Sequence, residues 1–335
     1  MTHKVIEKID LQKFLRNLCT QNLYAPVKDE ESKIEFKLVK DPKEITFEFT
    51  NTLKPVKSLF MPQTEMIFMA DEKGIHTPEV MNGEVVFGVR PCDAKSVQVL
   101  TKVFEKDRED PYFLRRKKNF SMIGLACTSP GENCFCSSLG LGPFSTDGLD
   151  MLFADIGEKY YVEVVSKAGG KLVENNRELF SEPIEADREL RKIAQRNAEK
   201  KIAQKIDVER ATAKLKHAFE SAIWDEVSKI CVRCGICTYL CPTCHCFDLT
   251  DEFLEGKIFR VRTWDSCTFP YFTLQSSGHN PRPTRRERVR NRIYHKFQYL
   301  LENIDEIGCV GCGRCLENCP SGVNLIEVLS RVGKS

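Results

Sequence analysis

The chain has 335 residues, with 50 Lys and Arg against 48 Asp and Glu. That length sets an expectation of two domains with ample core, and the balanced charge argues against a dedicated nucleic-acid binder. Hydrophobic residues make up 41%, which argues against disorder, yet no apolar run is long enough for a membrane-spanning helix.

The opening segment, Met1 to Lys8, lacks the apolar centre of a signal peptide, so a cytoplasmic protein is expected. Ile9, Phe14, Leu15 and Leu18 mark a short amphipathic helix. Ile45, Phe47 and Phe49 alternate with polar residues, as in a half-buried strand. Residues 84–89 read as a buried strand, followed by a helix with Val97, Leu100, Val103 and Phe104 on one face. Residues 122–126 and 160–165 read as further strands, and Ala168-Gly169-Gly170 as a turn. Residues 1–182 are thus expected to form a mixed α/β domain.

Residues 183–222 are rich in Lys, Glu, Arg and Ala and read as a charged helical linker. Leu190, Ala194, Ala198, Ile202 and Ile206 recur every four residues, as do Leu215, Phe219, Ile223 and Val227. Residues 258–261 read as a short strand. Thr284 and Glu287 have capping-box spacing, with Val289, Ile293, Phe297, Leu300 and Leu301 forming an apolar stripe behind them. The stretch from Arg282 to Lys296 holds seven Arg or Lys and one Glu. A solvated or partner-docking face accounts for it better than RNA binding, because no aromatic platform accompanies it.

The outlier is cysteine, at 16 residues. Without an export signal these are expected to be reduced, and metal ligation or catalysis is the natural reading. Residues 231–242 read CVRCGICTYLCP and residues 309–320 read CVGCGRCLENCP. Both follow the C-x2-C-x2-C-x3-C-P spacing of bacterial ferredoxins, in which three thiolates hold one [4Fe–4S] cubane and the fourth holds the other. The expected pairing is crossed. Cys231, Cys234 and Cys237 join Cys319 at one cluster; Cys309, Cys312 and Cys315 join Cys241 at the second. Gly235 and Gly313 occupy the same place in each run, where a small residue allows close approach. Zinc also takes C-x2-C pairs, but it does not call for the third and fourth cysteines in two copies. The segment between the runs is mainly helical in pattern, so residues 223–335 are expected to form an α-helical two-cluster ferredoxin domain. The fold class is α+β.

A second constellation lies upstream. Cys92 follows a strand and opens a helix, with Pro91 ending the strand and Asp93 placed to cap the helix. Cys127 ends the next strand, and Cys134-Phe135-Cys136 sits in a polar loop. Together Cys92, Cys127, Cys134 and Cys136 are expected to hold a third [4Fe–4S] cluster, against the alternative of buried cysteines acting as small hydrophobes. Cys244, Cys246 and Cys267 are left for tuning a cluster, alternate ligation or a redox-active pair. Cys19 reads as a buried helical residue. His245 and His279 read as structural histidines ahead of ligands.

No phosphate loop, dinucleotide fingerprint, zinc-protease motif or hydrolytic triad is present; Gly140-Leu141-Gly142 runs straight into Pro143. No catalytic site is recognised, and no flavin or nicotinamide site. The chain is equipped to move electrons for partners.

Seven segments taken together resemble a known family: FGVRPCDA (87–94), DPYFLRR (110–116), ACTSPGENCFCSSLG (126–140), CVRCGICTYLCPTCHCFD (231–248), TWDSC (263–267), SGHNPRP (277–283) and CVGCGRC (309–315). The chain is similar to the iron–sulfur beta subunit of cytoplasmic sulfhydrogenases and to the corresponding iron–sulfur subunit of anaerobic sulfite reductase. The resemblance runs from about residue 54 onward. It implies an electron-transfer subunit in a hetero-oligomer, with a flavoprotein linked to NAD(P)H on one side. On the other it implies a catalytic redox subunit: a hydrogenase, a sulfite or sulfur reductase, or a heterodisulfide reductase-like module. Two other readings stay open: a stand-alone thiol/disulfide or sulfur-reducing enzyme using Cys244, Cys246 and Cys267, and a zinc-stabilised interaction module.

Overall fold

All six residues of Glu84–Val89 are buried, which marks a strand covered on both faces. In the computed structural model, which describes residues 2–78 and 83–334, this strand lies near the middle of a seven-stranded sheet. In chain order the N-terminal part runs β1 (Thr2–Glu7), α1 (Lys8–Leu18), β2 (Leu23–Lys28), β3 (Ile34–Leu38), α2 (Lys57–Phe60), β4 (Thr64–Asp71), β5 (Gly74–His76) and β6 (Glu84–Val89). It continues α3 (Pro91–Glu105), α4 (Pro111–Asn119), β7 (Phe120–Leu125), β8 (Met151–Asp155), β9 (Lys159–Val164) and α5 (Lys167–Glu174). The sheet order is β1-β9-β8-β7-β6-β2-β3, with β2, β6, β7 and β8 parallel and antiparallel strands at both edges.

Side-chain alternation gives the sheet two cores. Val86, Met122 and Leu152 face α3 and α4, meeting Val97, Leu100, Phe104 and Phe113. Phe87, Ile123 and Phe153 face α1, meeting Leu11, Phe14 and Leu15. Ile9 stays outside at 75% exposure, although it shares the apolar pattern of that helix. Ala168-Gly169-Gly170 is helical, not a turn, because Ser166 caps α5 by accepting from the Ala168 and Gly169 amides. Residues 46–49 form no strand; Ile45 makes an isolated bridge to Val27, and Phe47 and Phe49 pack as irregular cover over the second core.

The C-terminal part is mainly helical: α6 (Glu185–Lys200), α7 (Val208–Leu215), α8 (Ile223–Ile230), α9 (Ile236–Tyr239), then the hairpin β10 (Phe247–Leu254) and β11 (Lys257–Trp264), then α10 (Arg285–Tyr294), α11 (Leu300–Ile304), α12 (Arg314–Glu317) and α13 (Leu325–Lys334). A π-helical turn, His295–Tyr299, joins α10 to α11. The charged stretch divides between the two parts: Ala198 of α6 enters the first core of the large sheet, while Val208, Ala211 and Leu215 of α7 enter the C-terminal core. The hairpin is the main departure from a helical segment between the motifs. It pairs with β4 to make a second sheet, β10-β11-β4-β5, so this sheet draws strands from both ends of the chain.

Buried charge fastens the same junction. Arg262 of β11 pairs with Glu65 of β4 and with Asp110, the N-cap of α4. Arg314 of α12 meets Asp93 of α3 through two parallel bonds of 2.7 Å, both side chains being at most 2% exposed. Arg314 also donates to the Thr52 carbonyl at 2.9 Å. Asp93 therefore does not cap its helix; Arg90 is the N-cap residue, Pro91 is the first helical residue, and the Asp93 carboxylate faces the C-terminal part.

Asp93→Ala leaves a buried guanidinium without its counter-ion, so unfolding free energy falls by about 3–5 kcal/mol. Anaerobic denaturant titration measures it. Asp93→Ala combined with Arg314→Met recovers part of that loss, because no charge is then stranded; full additivity of the two single variants would rule the pair out as a unit.

Candidate metal centre

The twelve cysteines expected to hold clusters gather at three cavities. Cys231, Cys234, Cys237 and Cys319 line the first, with Arg292 and Leu325 in its wall. Cys241, Cys309, Cys312 and Cys315 line the second, with Arg292 and Lys296. Cys92, Cys127, Cys134 and Cys136 line the third, beside Arg90. Each cavity gathers one of the three sets of four that motif spacing or strand ends had grouped. The first and second cavities both touch Cys315, and the second and third both touch Cys312. The three sites thus follow one another, each separated from the next by a single residue of the second motif.

Local geometry explains the sharing. Gly311 and Gly313 flank Cys312 at φ +63° and +78°, a backbone region that L side chains rarely adopt. A Cβ on Gly311 would meet the Cys136 amide nitrogen at 2.5 Å, and one on Gly313 would meet the Asn133 carbonyl oxygen at 2.8 Å. The Phe135 amide donates to the Gly311 carbonyl at 2.9 Å, and Asn51 donates to the Cys312 carbonyl at 2.8 Å. Phe135 itself, 1% exposed, is part of the C-terminal core. The two glycines let the upstream cysteine loop lie against the second motif. Gly235, at the matching place in the first motif, sits at φ +78° against the Phe269 ring.

The donor sets suit iron–sulfur cubanes. Each cavity offers at least four thiols, the first and third touching one more of the second set, and among the described residues no three Cys, His, Asp or Glu stand close enough to grip a single metal ion. Cubane thiolates sit at the corners of a four-iron core, wider apart than the ligands of one zinc. Burial pushes the Cys134 and Cys315 thiols up to about 12, and Cys136 and Cys309 to about 11. Such thiols keep their protons until a metal displaces them.

The second cavity has a feature absent from the sequence reading. Lys296 is 3% exposed and donates from Nζ to Cys241 Sγ at 3.0 Å, Thr243 Oγ1 at 2.9 Å and the Gly308 carbonyl at 2.7 Å. Arg292 reaches Cys244 Sγ at 3.7 Å. Lys57, 2% exposed, donates to the Cys244 carbonyl at 2.8 Å and lies 4.1 Å above the Trp264 ring. Burial pushes Lys57 down to about 8, whereas on Lys296 the Cys241 and Cys244 sulfurs overcome burial and raise it. Among the described residues none of these three cations pairs with a carboxylate; Arg292 and Lys296 bond sulfur directly, and Lys57 lies among the same cysteines while bonding a carbonyl. The hydrogen bond from Cys244 and these cations hold Cys241 well below an ordinary thiol. The basic stretch from Arg282 onward is therefore not simply a solvated face: Arg288, Arg290 and Lys296 are buried.

Cys244, Cys246 and Cys267 line none of the three cavities. Cys246 and Cys267 share a side-chain hydrogen bond that lowers Cys246 to about 7 and raises Cys267. Cys19 lies half-buried in a 3-10 turn after α1. His245 is held by the Thr243 carbonyl at 3.1 Å and lies against the His295 ring; burial pushes it down to about 4. His279 is exposed in a turn.

A family model described as a 4Fe-4S dicluster domain matches residues 230–323. Over 312 residues the chain is 34% identical to the sulfhydrogenase 2 subunit beta of Pyrococcus furiosus, covering 92% of each chain. No solved structure matches the chain.

Gly311→Ala forces a Cβ into the Cys136 backbone. Amide exchange over residues 133–136 accelerates about tenfold or more, while residues 231–237 keep their protection. Equal acceleration in both segments would contradict the contact as the cause.

Proposed function

The chain belongs to the sulfhydrogenase beta-subunit family, and on that premise we propose that it is the electron relay of a multi-subunit anaerobic oxidoreductase. It carries electrons between a flavoprotein linked to NAD(P)H and a catalytic redox subunit. The family's dicluster domain implies two [4Fe–4S] clusters. In this reading Cys231, Cys234, Cys237 and Cys319 hold the first, and Cys309, Cys312, Cys315 and Cys241 the second. A third is held by Cys92, Cys127, Cys134 and Cys136. Each cluster, when bound, exchanges one electron at a time.

The succession of three four-cysteine cavities with shared walls carries this reading. The protein's own residues give the row two different ends. Cys234 is exposed, and Ile230 and Val232 on either side of Cys231 are 49% and 57% exposed, so the first site offers a partner a short path through apolar contact. The third site lies at the carboxyl ends of β6 and β7, where Arg90 lines it and donates to the Leu125 and Ala126 carbonyls at 3.1 and 2.9 Å. Lys296 and Arg292 place positive charge at the middle site, which favours its reduced form. A stand-alone thiol enzyme is the weaker reading, because Cys244 and Cys267 are buried away from any substrate.

Anaerobically purified protein is expected to hold about 12 iron and 12 sulfide per chain, and Cys92→Ser about 8. A fully reconstituted wild-type chain at about 8 would remove the third site from the relay. Lys296→Met lowers the potential of the middle cluster by on the order of 50–100 mV, because a cation next to the reduced state is lost. Potentiometric EPR of the three signals reads this shift, and an unchanged set would refute the role of Lys296.

A further inference from the structure

The relay leaves one set of sulfur atoms unused. β10 and β11 pair in register from Phe247 opposite Trp264 to Leu254 opposite Lys257. That register brings the residues just before Phe247 and just after Trp264 to one end of the hairpin, where the Asp265 amide donates to the Cys246 carbonyl at 3.0 Å. Cys246 and Cys267 meet there, thiol against thiol. Cys267 is 5% exposed. The Ser266 hydroxyl beside it bonds Thr238 and Thr268, fixing the loop. Among the described residues no third metal-ligating side chain stands near enough to make the pair a metal-ion site.

The surrounding charge is unusual. Lys57, Arg292 and Lys296 converge on the segment from Cys241 to Cys246, and among the described residues no carboxylate pairs with them. Buried cations require compensating negative charge. A [4Fe–4S] core with four thiolates supplies two negative charges in its oxidised state. Cations at this density also stabilise a thiolate on a neighbouring dithiol.

We infer that Cys246 and Cys267 form a redox-active dithiol that stores two electrons beside the middle site of the relay. The inference rests on the electron-relay reading. In the charging direction the Cys246–Cys267 disulfide accepts two electrons, delivered singly by the neighbouring iron–sulfur site. It takes up one proton as the S–S bond breaks, leaving one thiol and one thiolate. In the reverse direction the S–S bond forms, the proton leaves and two electrons return to the same site. The pair thereby joins a one-electron chain to partner subunits that react two electrons at a time.

The test uses the intact complex, purified anaerobically and poised with mediators over a range of potentials. Each sample is quenched in acid, alkylated with N-ethylmaleimide and digested for mass spectrometry. Iron content and the EPR signals are recorded on the same samples. The expected result is a Cys246–Cys267 cross-linked peptide at the oxidising end and two alkylated cysteines at the reducing end. Their ratio changes about tenfold per ~30 mV, as a two-electron couple requires. The twelve relay cysteines stay open to alkylation throughout, and Cys246→Ser removes the cross-link at unchanged iron content. Two free thiols at every potential over which the iron–sulfur signals titrate would overturn the dithiol and leave the relay standing. A cross-link that appears only as iron is lost would overturn it equally. Iron near zero in the anaerobic complex would instead overturn the relay itself.

Discussion

The architecture turns on the buried pair between Arg314 and Asp93. Arg314 stands between Cys312 and Cys315, and Asp93 follows Cys92. One doubly hydrogen-bonded contact therefore sets the spacing between the second motif and the upstream cysteines. A buried ion pair adds little net stability over a well-packed apolar substitute, but it tolerates no other register. Arg314 has a further hold on Thr52, and Cys312 on Asn51, so the loop before α2 is drawn into the same arrangement. The glycines on either side of Cys312 complete it by removing the side chains that would keep the Cys134–Cys136 loop away.

The same economy appears in the electrostatics. Cationic side chains are rarely buried, and most in the interior of a protein are matched by carboxylates. Here Arg262 and Arg314 follow that rule, while Lys57 and Lys296 do not. The difference tracks location: the matched cations fasten the two parts of the chain, and the unmatched ones face sulfur. The carboxylates that would quench them are absent from their contacts among the described residues, which suits the proposed relay.

The cluster-binding pattern was plain in the sequence because ligand spacing is local. A C-x2-C-x2-C-x3-C-P run wraps one loop, and two such runs imply each other. The upstream four needed the further step of placing Cys92 and Cys127 at adjacent strand ends, and β6 and β7 are indeed neighbours in parallel. Contacts between distant segments were not legible. Asp93 resembled a helix cap because a carboxylate at that position usually is one, and its partner lies 221 residues away. Arg292 and Lys296 resembled a solvated face, since their stretch is strongly basic; the π-helical turn after Tyr294 begins at His295 and includes Lys296. Ala168-Gly169-Gly170 resembled a turn by composition, yet one serine cap and burial of Leu172 carry it into a helix.

The second sheet has a consequence for how the protein is made. β4 and β5 are complete once residue 76 has left the ribosome, but their partner β11 is not synthesised until residue 264. For nearly two hundred residues of elongation the inner edge of β4 has no neighbour, and Glu65 lacks Arg262. The crossed pairing expected of the two motifs delays matters further, since Cys319 comes last. Maturation is therefore late and concerted. Metal insertion and burial of the Arg314 charge are tied to the arrival of residues 309–319, after β11 has already closed the small sheet. A chain truncated before them has its small sheet closed but no complete pair of ferredoxin sites.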